Sequence, residues 1–180
     1  MAEATQGKKV ILLVRRLDEA KTKAAAKPLF QIEHTISYER SLDTTQTKDG
    51  AVNSDGGLEV TLSLTGLASK DDENEYMKKA VKDGAIMEFW SVDLSQEGTE
   101  DNAGKYKAEY MRGKVASWEV PYNVEDLVEI STEANVDGVP QEGYATVDPS
   151  VIEKAQYVFA DTTKASEGGT SVLSIKNKKE

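Results

Sequence analysis

The 180-residue chain contains no cysteine, so disulfides, thiol nucleophiles and cysteine-ligated zinc are all excluded. It has one histidine, His34, so any Ser-His-Asp arrangement would have to use that residue. It has four prolines, and aromatic residues make up 7% of the chain. No apolar run is long enough to span a bilayer. Residues 1–7 lack the charged-then-apolar pattern of a signal peptide, which predicts synthesis and retention in a cytoplasm before any release. Basic residues are in deficit: 22 Lys and Arg stand against 32 Asp and Glu, giving a net charge of −10. A protein that grips nucleic acid needs a basic footprint, and this balance is the reverse. A surface that lets nucleic acid pass without sticking would want this sign, although acidity also serves solubility alone.

What the chain does have is period-two patterning. In Leu29–Arg40, Ile32, His34, Ile36 and Tyr38 alternate with Glu33, Thr35, Ser37 and Glu39, the pattern of a strand with one apolar and one wet face. Leu58–Thr65 alternates likewise, with Leu58, Val60, Leu62 and Leu64 against Glu59, Thr61, Ser63 and Thr65. In Leu127–Val136, Val128, Ile130, Ala134 and Val136 oppose Glu129, Ser131, Glu133 and Asn135. Lys105–Val120 reads as a long strand with Tyr106, Ala108, Tyr110, Ala116, Trp118 and Val120 on one side. Its other face would be polar in part, through Lys107, Glu109, Ser117 and Glu119. The alternation falters between Met111 and Val115, predicting a bulge or bend around Gly113.

Val10–Arg15 and Ala85–Leu94 are apolar enough to be further strands. Asp18–Lys27, rich in Ala and Lys, reads equally as a helix or a mobile arm, and Pro28 stops any helix. Ser69–Asp72 resembles a helix start, followed by a helix that buries Tyr76, Met77, Ala80 and Val81 and ends at Gly84. Asp148-Pro149 opens a short helix that buries Val151, Ile152 and Ala155. Ser41–Gly57 reads as a long polar loop, and loops of this length are usually functional or disordered. The pattern predicts one domain over residues 1–162 and a flexible tail over 163–180.

No constellation for catalysis or metal binding emerges. His34 lies on the apolar side of its strand, as core or interface histidines do. Asp93–Gly104 places Asp93, Ser95, Glu97 and Gly98 as a calcium loop would, but the twelfth position is Gly104, where a bidentate Glu is required. Asp71-Asp72 and Glu100-Asp101 suit a helix start and a solvated loop. Trp90, Trp118 and Tyr76 are expected to anchor the core. No cofactor is implied. The polar faces, with a long loop joining the first pair of strands, fit a large barrel assembled from several subunits. They also fit an ordinary antiparallel sheet with one wet side.

Two stretches carry a family resemblance. Thr22-Lys23-Ala24-Ala25 leading to Leu29–His34, then Thr47-Lys48-Asp49-Gly50, resembles the N-terminal half of the siphophage major tail proteins of the lactococcal-phage type. Tyr110–Val120, Asn123–Asp126, Val128–Ile130 and Gly143 resemble tail-tube proteins more broadly. Together the two cover roughly residues 8–160.

The resemblance implies a mainly β fold, an antiparallel β-sandwich or half-barrel with a flanking α-helix. It implies a non-enzymatic virion protein, assembled in the host cytoplasm into hexameric rings that stack as the tail tube and conduct the phage genome. Partners would be further copies, tape-measure and other tail proteins, and DNA in passage, with no membrane. By the resemblance, Glu33, Glu39, Glu59, Thr61, Glu129, Ser131 and Glu133 would face the lumen. Segment 41–57, with Asp43, Lys48, Asp49, Gly50 and Asp55, would pack on the next ring. The immunoglobulin-like domain that some relatives add is not expected. Two rival readings are a ring protein of a contractile injection system, and an enzyme or ligand-binding β-sandwich with convergent carboxylates.

Overall fold

The computed structural model describes residues 6–28, 30–68, 72–122 and 127–155, with side chains left aside at 72–74 and 153–155. The predicted tail 163–180, the helix start at 69–71 and the turn at 123–126 lie outside the described residues.

Among the described residues, seven strands form one antiparallel sheet: β1 Val10–Arg16, β2 Gln31–Thr47, β3 Gly50–Leu67, β4 Ile86–Glu97, β5 Tyr106–Glu119, β6 Glu129–Val136 and β7 Gln141–Ala145. Their spatial order is β1-β4-β5-β6-β3-β2, and β7 pairs with β5. Helix α1, Asp72–Asp83, packs on β5, and α2 spans Pro149–Ala155. Gly84, at φ +63°, ends α1, and the Ala85 N–H returns to the Ala80 carbonyl at 3.1 Å as in a Schellman cap.

The sheet curls around a core of Leu12, Val14, Leu62, Leu64, Met87, Phe89, Met111, Val115 and Ala134, into which α1 sets Met77 and Ala80. This is the half-barrel with a flanking helix, and each fully buried Leu, Phe or Met in it contributes about 1.5–3 kcal/mol. The convex face carries a second cluster over β1, β4 and β5, built from Ile11, Leu13, Val92, Leu94 and Ala108. Val147, Val151 and Ile152 cover it from the C-terminal side. Beside that cluster, Glu88, only 3% exposed, binds Arg15 at 2.7 Å and accepts a hydrogen bond from Tyr110. Arg15 also stacks 5.0 Å over Trp90.

Much of the outer edge of β1 is capped without a further ladder. The Gln31 side-chain amide accepts from the Leu12 N–H at 3.0 Å and donates to the Leu12 carbonyl at 2.6 Å. Val14 exchanges two backbone bonds with Ala26, and the Arg16 N–H donates to the Tyr76 hydroxyl at 2.9 Å.

Three expectations are corrected, and one strand is new. Segment 41–57 is not an open loop: β2 and β3 continue through it as a ladder to a two-residue turn at Lys48-Asp49. Asp18–Lys27 is neither a helix nor a free arm: a 3-10 turn at Leu17–Glu19 leads back to the Ala26 bridge with β1. The irregularity of β5 lies at Ala116, not Gly113, because Val115 pairs with Ala134 and Ser117 with the next residue back, Glu133. Ala116 is thus an extra residue that switches the strand's parity. Met111 and Val115 are therefore core residues, while Tyr106, Ala108 and Tyr110 face the opposite side from Trp118. Finally, β7 is a strand that the hydropathy pattern did not announce.

Candidate functional site

The ladders of β2, β3, β6 and β5 place polar residues in register across four strands. Three rows cross the face of these four strands that is turned away from the main core: Glu33, Thr65, Ser131 and Glu119; Thr35, Ser63, Glu133 and Ser117; Ser37, Thr61, Asn135 and Lys114. Glu39 and Glu59 pair directly above them, and Glu129 pairs with Leu67 below. All seven residues singled out for a wet face thus lie on one continuous surface. Thr61 is half-buried and the other six are exposed. The bulge at Ala116 brings Ser117 and Glu119 onto this face and leaves Lys107 and Glu109 on the other, so the four predicted polar residues of β5 do not act together.

Six glutamates (Glu33, Glu39, Glu59, Glu119, Glu129 and Glu133) share this face with Lys114 and, next along β5, Arg112. Like charges directly opposite across a ladder are unfavourable, and Glu39 opposite Glu59 is such a pair. The face is built for negative potential rather than for hairpin stability.

This sheet also has open edges. Among the described residues β2 has no strand partner on its second edge, and β4 ends opposite Lys114, leaving residues 115–119 of β5 unpaired on that side. The two open edges flank the four-stranded polar face.

Beyond Glu39 and Glu59, the β2–β3 hairpin leaves the body as an arm that contacts no third strand. At its base, Ser41 stands opposite the two residues Gly56 and Gly57, which bends the ladder; Gly57 takes φ +108°. The Gly57 N–H, then Arg40, hold the Asp55 carboxyl below its ordinary range. Asp43 pairs with Ser54, and Lys48 and Asp49 form the tip before Gly50.

The predicted anchors are half-buried. Trp90 packs on the convex cluster, while Tyr76 and Trp118 pack on the main core. The Trp118 indole N–H finds no acceptor among the described residues. His34 projects across the mouth of the half-barrel, with Nε2 2.9 Å from the Ser91 hydroxyl. Nearby, the Tyr38 hydroxyl donates to Glu109. Burial lowers the His34 pKa, opposed by Glu33. A base with a depressed folded pKa costs stability as pH falls below its ordinary value near 6.5 and on toward the folded value. The thermal midpoint should therefore fall more steeply between pH 7 and 5 in the native protein than in His34→Gln. Parallel curves for the two in scanning calorimetry would refute this.

Ile32 is the extra residue between Gln31 and Glu33 and points into solvent, not into the apolar face predicted for it. Length hints only that part of β5 outruns its neighbour, since Lys105–Val120 is longer than Ala85–Leu94, without saying which end is left over.

Known proteins share both the sequence and this architecture. A candidate tail protein of Staphylococcus phage phiMR25 is 34% identical over 169 residues, covering 92% of this chain and 86% of that protein. The tail tube protein gp17.1* of Bacillus phage SPP1 is 28% identical over 138 residues, which is 76% of this chain and 51% of that protein. The solved SPP1 tail tube has the same fold, with a TM-score of 0.71 at 23% identity, over 92% of this chain and 93% of that one. The tail of a gene transfer agent particle, refined with C6 symmetry, also shares the fold, with a TM-score of 0.58 at 14% identity over 77% and 98% of the two chains. The family model described as "Phage tail tube protein" matches residues 4–142, and the chain belongs to that family.

Proposed function

We propose that six copies of this chain close into a ring by pairing the open edge of β2 with residues 115–119 of β5 on the next copy. The observation that carries this is the register-continuous polar face bounded by two open strand edges. Four strands from each of six copies give a barrel of roughly 24 strands. At a strand spacing of about 4.8 Å and a tilt of about 40°, its lumen is roughly 40 Å across between side chains, wider than a DNA duplex. The ring number follows the sixfold symmetry of the gene transfer agent tail that shares the fold.

Rings stack into the tail tube of the virion, assembled in the host cytoplasm on tape-measure and other tail proteins. The genome then passes along a surface of aligned glutamates. Negative walls repel phosphate, so DNA slides without being held. The role is structural, with no catalytic step. Arm residues Asp43, Lys48, Asp49, Gly50 and Asp55 belong to ring stacking.

Electron microscopy of the concentrated protein should show hollow tubes. Monomers under every condition, with a different chain forming the virion tube, would end this reading. Reversing lumen charge separates folding from passage. Glu59→Lys replaces a like pair with an opposite one and should stabilise the hairpin by about 0.2–1 kcal/mol. Combined with Glu133→Lys, it should leave tubes intact and slow DNA release from virions, more so at low salt. Unchanged release at low salt would show that lumen charge is irrelevant.

A further inference from the structure

An apolar surface remains that neither the core nor the polar face uses. At the end of the body where β2 begins and β3 stops, four side chains stand in solvent: Phe30 at 59% exposure, Ile32 at 56%, Tyr122 at 86% and Leu127 at 75%. Pairings and backbone bonds place them along one rim. The Leu67 N–H donates to the Phe30 carbonyl at 3.1 Å, and the Ala68 N–H to the Val128 carbonyl at 2.7 Å. Glu119, three residues before Tyr122, pairs with Ser131.

The rim is held in place at a cost. Phe30 has φ +54°, a left-handed conformation that a bulky residue rarely adopts, and its side chain is turned outward. Ile32 is displayed by the bulge between Gln31 and Glu33. Two backbone irregularities thus present two apolar side chains to water.

The opposite end of the same two strands carries the arm, whose exposed apolar residues are Leu42 and Val52. Leu42 pairs with Asp55 and Val52 with Thr45, so the two lie on opposite faces of the arm. Along β2, Leu42 stands 11 residues beyond Gln31, roughly 35 Å away. The arm cannot reach its own rim. A copy shifted along the strand direction brings its rim onto the arm base of the first, a head-to-tail contact that repeats without closing.

On this geometry we infer that the rim of Phe30, Ile32, Tyr122 and Leu127 is the receptor for the hairpin arm of a second copy in the adjoining ring. The inference rests on the tube reading and adds to it the surface that the arm occupies. Contacts around the ring use strand edges, whereas contacts between rings use this rim, so the two are separable by substitution.

Tyr122→Asp and Leu127→Asp alter side chains that are almost wholly exposed, so each monomer should keep its native circular dichroism and thermal midpoint. Each should still form single rings, but ring-to-ring affinity should fall about tenfold or more, and tubes should shorten accordingly. Because the chain has no cysteine, a Leu42→Cys/Leu127→Cys double variant supplies a clean second readout. Mild oxidation of its tubes should give a ladder of disulfide-linked multimers, and oxidation of its monomers should give none. Tubes of native length from both Asp variants, or oxidised tubes with no ladder, would overturn the rim as receptor while leaving the tube itself standing. Failure of the native protein to form tubes at all would remove the tube reading and this inference together.

Discussion

Replacing Glu88 with alanine lowers stability by about 3–5 kcal/mol, which at this chain length is a drop in thermal midpoint of roughly 6–20 °C. The carboxylate is almost fully buried and gathers most of the polar contacts on the convex face. Arg15 Nε donates to it at 2.8 Å and its Nη2 lies at 2.7 Å; Tyr110 donates to its other oxygen, and Arg112 stands at 3.7 Å. Truncation leaves the Arg15 guanidinium partly buried against Trp90 with no counter-charge, and that uncompensated cation is the main cost. Arg15 also donates to the Lys23 carbonyl at 3.3 Å, so the segment after β1 should loosen as well. The Glu88→Met/Arg15→Met double variant removes both charges and should recover most of the loss. Urea denaturation of the native protein, both single variants and the double variant checks this. Additive losses in the double variant would show that the two residues do not act as a pair.

Gly113→Ala is the second large effect, expected at about 3 kcal/mol. A Cβ at this position would lie 2.0 Å from the Asn135 carbonyl oxygen and 2.9 Å from the Val136 Cα. Both are backbone atoms of β6 that cannot turn aside. Relief requires β5 and β6 to separate where Ser37, Thr61, Asn135 and Lys114 form a row, so the polar face should lose its continuity and tube formation should fail. Gly143 on β7 is the control: nothing lies within 4 Å of a Cβ built there, and Gly143→Ala should stay within about 0.5 kcal/mol of the native protein. Equal denaturation midpoints for the two variants would refute the close approach of the strands.

The parts of the fold that could be read from the sequence are those with one dry and one wet side. β3 and β6 alternate cleanly because Leu62, Leu64, Ile130 and Ala134 fill the core while Ser63, Thr65, Ser131 and Glu133 meet water. β5 could not be read this way. Its first half is covered on both faces, by Met111 inside and Ala108 outside, and a strand buried on two sides has no simple alternation. The eye then falls on Gly113 as the break, whereas the extra residue is Ala116, which has no sequence signature. The arm was hidden for the opposite reason. Its ladder carries polar pairs on both faces, Thr44 with Asn53 on one and Asp43 with Ser54 on the other, so hydropathy gives no period and the glycines suggest a loop. The polar face itself could be assigned residue by residue. Its open edges could not, because they depend on where β4 stops relative to β5, a matter of register rather than composition.

The sealed edge of β1 bears on how such a chain survives before it is used. A subunit with two sticky sheet edges has two valences and can grow into open fibres with its own kind, in any order and at any time. Here the Gln31 amide, the Ala26 backbone and the Tyr76 hydroxyl take up the outward hydrogen-bonding groups of Leu12 and Val14 and the Arg16 N–H within the monomer. Apart from the short outer edge of β7, sheet growth is thereby left to β2 and the end of β5, the pair of edges joined in the proposed ring. On the proposed ring, polymerisation through these two edges would stop when the circle is complete, and the same three capping groups would disfavour fibre growth from β1.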